Sequence, residues 1–177
     1  GRHLVPAVLG RAAIAAEVVA DLDDFEARLA ADEPPVTVVV LDLAVHGDAI
    51  ERTIEAIRAA KPDLPVVLTG DIHSNWVNDL KLDFRSEASP TVATEFVTTS
   101  ITSGGDGQDL PGRMPAVLRK NPFVKFHNNQ RGYVSCQVSR SRMTADYRVV
   151  DKVTIPDGKV TTRASFVVED GWPGAKS

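Results

Sequence analysis

The sequence predicts an α/β protein, with parallel βα units in the N-terminal part followed by a mainly antiparallel β C-terminal part. Residues 36–41 and 65–69 are unbroken runs rich in Val and Leu, the pattern of strands covered on both faces. Between them Ile50, Ile54 and Ile57 recur at helical spacing. From residue 131 onward, short alternating runs are separated by turn residues, as in an antiparallel meander.

Taken in order, residues 7–16 are rich in alanine and are expected to be helical. Residues 17–21 are expected to form a short strand. Leu22, Phe25, Leu29 and Ala30 mark a helix face behind an N-cap at Asp23, and Pro34-Pro35 end it. The strand at 36–41 is followed by Gly47-Asp48, the Ile50 helix and the breaker Lys61-Pro62-Asp63. The strand at 65–69 then completes a parallel strand–helix–strand unit. Residues 71–91 read as polar and irregular. A strand is expected over 94–102, a loop at Gly104-Gly105-Asp106-Gly107 and a short helix over 111–120. Strands are expected over 131–138, 143–150 and 160–168, with Asp157-Gly158 as a hairpin turn. Residues 170–174 are expected to be an extended tail.

Composition narrows the function classes. The chain has 177 residues, 43% hydrophobic and 25% charged, ordinary values for a globular protein. Its net charge of -4 and pI near 5.5 give no nucleic-acid-binding patch. Residues 1–70 hold 6 Lys/Arg against 12 Asp/Glu, and residues 71–177 hold 14 against 12. This break between the two parts points to two sequence origins. The single cysteine, Cys136, rules out an intrachain disulfide and reads as a strand residue. No apolar run approaches the roughly 18 residues of a membrane span, and Gly1-Arg2-His3-Leu4 does not open a signal peptide. Oligomeric state is not legible.

The segment with chemistry in it is Leu68-Thr69-Gly70-Asp71-Ile72-His73-Ser74-Asn75-Trp76. A buried strand delivers a glycine, then a carboxylate and an imidazole two residues apart. Residues leaving the C-terminal end of a parallel strand face the crevice where α/β folds bind ligands. Asp71 and His73 could each give a first-row metal one ligand.

With Asn78-Asp79-Leu80, this segment resembles the C-terminal metal motif of PhoD-like (alkaline phosphatase D) metallophosphoesterases. The resemblance continues through 90–97, 99–105, Asn121-Pro122, Lys125-Phe126, 129–134, 145–150 and 162–166. It implies a metallophosphoesterase-like half over 65–177 and hydrolysis of a small phosphate-ester substrate. It also implies a dinuclear metal centre, holding iron and calcium in the family, with Asp71 and His73 as catalytic ligands. Asn75 and Asn78 are then candidates for the residues supporting those ligands, and Arg131 and Arg163 for weaker phosphate-pairing sites. The family's other ligands come from N-terminal motifs not found in residues 1–64, and Phe123 stands where members often have His. The resemblance thus implies a site that is incomplete in this chain. Family members are typically exported.

Residues 17–69 are similar to a response-regulator receiver domain, on Val38-Val39-Val40-Leu41-Asp42-Leu43 and the stretch 56–69. This implies a phosphoacceptor at Asp42 and a sensing Thr69, though the receiver's acidic pair and phosphate-binding Lys are missing. The expected division is a receiver-like fragment over 1–64 and a phosphatase-like segment over 65–177, meeting near 65–71. The functional expectations are phosphate-ester hydrolysis, a signalling module phosphorylated at Asp42, or an inactive remnant.

Overall fold

The computed structural model describes residues 4–9, 12–17, 27, 39–40, 66–70, 72–139 and 141–177. Strands β1 (Leu4–Leu9) and β2 (Ala12–Glu17) pair antiparallel, from Leu4↔Glu17 to Leu9↔Ala12. This corrects the helix expected over 7–16. Strand pairing outweighs the modest helix preference of alanine.

The main body is two packed sheets. The first has five strands: β3 (Val39–Val40), β4 (Val66–Thr69), β5 (Asn75–Lys81), β6 (Thr91–Val97) and β7 (Val124–Asn128), in the order β3-β4-β6-β5-β7. β3, β4 and β6 run parallel, and β5 is antiparallel to both β6 and β7. The helices expected around Leu22–Ala30 and Ile50–Ile57 lie outside the described residues, apart from a helical Ala27. The short helix α1 (Met114–Lys120) precedes β7, with Pro115 in its first turn. The second sheet contains β8 (Arg131–Val138), β9 (Arg142–Val150), β10 (Val160–Glu169) and β11 (Trp172–Lys176), in the order β11-β10-β9-β8. The described structure is therefore mostly β, and its later part is the expected antiparallel meander.

Two further expectations are corrected. The stretch 71–91 contains β5, which is a central strand. Its inward residues Asn75, Val77 and Asp79 alternate polar with apolar, so no apolar period betrayed it. Residues 170–174 are no free tail, because β11 pairs with β10. It is also tied to the first sheet, where Ala175 N donates to Asp79 Oδ1 (3.1 Å) and Gly174 N to Thr94 Oγ1 (3.1 Å).

Val77 and Phe96 from the first sheet meet Met143, Ala145, Tyr147, Phe166 and Val168 from the second. Each large side chain so buried contributes about 1.5–3 kcal/mol. The Tyr147 ring packs near Phe126 (5.0 Å between centroids) and Phe166 (6.1 Å). Its hydroxyl donates to the Trp76 carbonyl at 2.5 Å. This core fixes β5, and β5 begins at the site.

Candidate functional site

β4 and β6 end on the same edge of the first sheet, and β5 starts there because it runs antiparallel to β6. Asn128, the last residue of β7, pairs with Asn75, the first of β5. The connections 72–74, 98–110 and 129–130 therefore gather at one edge. Polar residues buried there include Ser74, Asn75, Thr99, His127, Asn128 and Arg131. Buried polar groups must find partners, and most of these find one another.

Asn75 is the hub. Its Nδ2 donates to Asn128 Oδ1 (3.2 Å) and more weakly to Gln130 O (3.4 Å), and its Oδ1 accepts from Thr99 N (3.1 Å). Asn128 in turn donates to Asp109 Oδ1 (2.8 Å), and Arg163 grips the same carboxylate at 2.7 and 3.0 Å. The Arg163 guanidinium beside it, then the Asn128 hydrogen bond, hold the Asp109 carboxyl below its ordinary range. Asp106 accepts from Val153 N, Thr154 N and Thr154 Oγ1 at 2.7–2.9 Å. The glycine-rich loop is thus pinned by two of its own carboxylates.

His73 has φ +56°, a left-handed backbone uncommon for a residue with a side chain. Such a conformation costs about 1–3 kcal/mol and persists where the surroundings enforce it. Here its carbonyl accepts from Arg131 Nη1. The side chain is exposed. A Cβ at Gly104 would stand 3.6 Å from His73 Nδ1 and 3.9 Å from Arg131 Nη2. Gly104, at φ +88°, thus leaves a gap between imidazole and guanidinium.

Arg131 is 3% exposed. Its Nε donates to Gly105 O (2.9 Å), Nη1 to Thr99 Oγ1 (3.1 Å), and Nη2 reaches Asn129 Oδ1 (3.4 Å). No carboxylate pairs with it among the described residues. Its charge is held by neutral oxygens of the surrounding loops.

The sequence candidates separate as follows. His73, Asn75 and Arg131 come together at the edge. Asn78 points to the opposite sheet face from Asn75, since side chains alternate along a strand. It donates to Glu95 Oε2 (2.8 Å), whose Oε1 accepts from Thr69 Oγ1 (3.0 Å). Asn78 Oδ1 is buried without a partner among the described residues. Arg163 forms a half-exposed ion pair with Asp109. Asp42 and Asp71 lie outside the described residues. Sequence reading missed Thr99, Asn128 and Asp109. The amide-rich run Asn128-Asn129-Gln130 was the available signal, because such residues on a loop either face solvent or build a network.

His73 can fill one coordination position, but a hydrolytic metal takes three or more protein donors. No group of three His, Cys, Asp or Glu residues that could hold a metal is found among the described residues. By themselves the described residues do not make a metal centre.

The architecture defines a two-sheet protein whose polar, loop-bearing edge lies where its parallel strands end. The chain belongs to the PhoD-like phosphatase family, which matches residues 11–147. It is 43% identical over 126 residues to alkaline phosphatase D of Bacillus subtilis (strain 168), covering 71% of this chain and 22% of that protein. A solved structure titled "Structure of PhoD" superposes with a TM-score of 0.76 at 32% identity, covering 88% of this chain and 34% of the other. The chain therefore spans about a fifth to a third of the length of these relatives. The family match runs through residues 17–69, and the receiver resemblance there gains no support from it. No helix among the described residues is long and apolar enough to cross a membrane.

Proposed function

We propose that this chain carries part of a metal-dependent site that hydrolyses small phosphate esters. The observation that supports it best is the edge itself. An exposed imidazole is held in a left-handed backbone conformation beside a buried guanidinium and under a glycine-rich turn. Asp71 and His73 act as ligands, and a bound divalent or trivalent cation would polarise the phosphoryl oxygens. The donor count requires further ligands beyond the described residues. Asn75, two residues after His73, ties the start of β5 to Thr99, Asn128 and Gln130. Arg131 acts from beneath, since its donors are turned to protein oxygens.

The test is metal analysis of the purified chain together with turnover of a chromogenic phosphate ester, for wild type, Asp71→Ala and His73→Ala. Bound metal that disappears with either substitution, together with turnover that falls, supports the reading. Absence of metal and equal turnover in all three would refute it.

A further inference from the structure

The three guanidinium nitrogens of Arg131 address different pieces of chain. Nε takes the carbonyl of Gly105, Nη1 takes the carbonyl of His73 with the hydroxyl of Thr99, and Nη2 reaches the Asn129 side chain. Those pieces are the glycine-rich loop, the His73 turn, the connection just after β6 and the turn before β8. A planar fork can satisfy four directions at once, which the point charge of a lysine cannot. Burying the charge is costly unless its donors are satisfied, so the burial makes sense only if these four segments must be held in one arrangement. Gly132 makes the burial possible. A Cβ there would lie 2.0 Å from Arg148 O, so only glycine lets β8 start pressed against β9 with the preceding side chain directed inward.

Among these acceptors, the His73 carbonyl belongs to a residue whose backbone is otherwise disfavoured. Turning His73 back to a right-handed conformation would rotate its carbonyl away from Nη1 and swing the imidazole off Gly104. We propose that Arg131 is a positioning residue, whose hydrogen bond to the His73 carbonyl locks the left-handed backbone that aims the imidazole into the site. The inference rests on the reading of His73 as a site residue.

The experiment compares the full chain as wild type and Arg131→Lys. Thermal melting reports folding, backbone scalar couplings report the sign of φ at His73, and a chromogenic phosphate ester reports turnover. In folded R131K, His73 is expected to leave the left-handed region, and kcat to fall about tenfold or more with little change in KM. A folded R131K that keeps positive φ at His73 overturns the proposal. If R131K does not fold, wild type carries the test through a scalar coupling across the hydrogen bond from Arg131 Nη1 to the His73 carbonyl. That coupling together with a positive φ at His73 supports the proposal, and the absence of either overturns it. Should wild type bind no metal and show no turnover, the hydrolytic reading fails while the couplings still decide the role of Arg131.

Discussion

The Tyr147 hydroxyl donates to the Trp76 carbonyl across the core, joining β9 to the strand that begins at the site. Tyr147 is fully buried, and that burial is the main reason its hydroxyl stays protonated far above the ordinary range. Tyr147→Phe removes the donor and takes this hydrogen bond from the part-buried Trp76 carbonyl. The expected loss is about 1–3 kcal/mol, read as a lower denaturant midpoint at unchanged slope.

Asn75 carries a second prediction. Asn75→Ala strands the Thr99 N–H and removes a donor from Asn128, and should cost about 2–4 kcal/mol by the same desolvation argument. The Asn75→Ala/Asn128→Ala double mutant should lose less than the sum of the singles, with a coupling of about 0.5–3 kcal/mol. Strict additivity in denaturant titrations would show that the two amides do not work as a unit.

These two residues also show what the sequence could and could not reveal. Strands β8, β9 and β10 were legible because turn residues separate them, and β9 buries every second residue as its sequence suggests. β5 was not, because its inward positions Asn75 and Asp79 are polar and are satisfied by partners 53 and 96 residues away, Asn128 and Ala175. The hairpin β1–β2 was hidden in the opposite way, since local alanine content suggested a helix and strand pairing overrode it. Of the candidate site, the His73 turn was visible as a strand-end motif. Arg131 was named, but surface charge is the default for an arginine, and nothing local signals that its charge is buried.

Gly107 holds the loop against the turn before β8. It has φ +77°, and a Cβ there would fall 1.8 Å from Asn129 O. Gly107→Ala must therefore push these segments apart and break the Asn129 N to Gln108 O bond of 2.9 Å. A stability loss above about 3 kcal/mol is expected, in the class of backbone clashes that cannot relax. A variant melting like wild type would contradict this packing.

Cys136 offers a check on the inner face of the meander. It packs against the core cluster, and burial, with the Asp146 carboxylate adding to it, pushes its thiol up to about 11. The thiolate is the reactive form, so a thiol reagent at neutral pH should modify the native chain far more slowly than the denatured chain. Equal rates would mean the second sheet is not closed over this position.

His127 sets the pH dependence. Its ring meets Trp76 edge-on at 4.2 Å, its Nδ1 is buried without a partner among the described residues, and burial holds it below the ordinary imidazole value of 6.5. As pH falls below that value the unfolded chain takes up a proton that the native chain refuses. Stability therefore declines between the ordinary value and the lower native one. Asp109, held below the ordinary carboxylate value of 3.8, adds a second decline at more acid pH. Its stabilisation is complete above that value and is lost as pH falls through the native one, and exposure of the ion pair keeps the effect small. Denaturant titrations from pH 8 to 4 should show the first decline in wild type and not in His127→Gln, where no group titrates at that position. A decline of equal size in both proteins would mean that position 127 is solvated in the native fold.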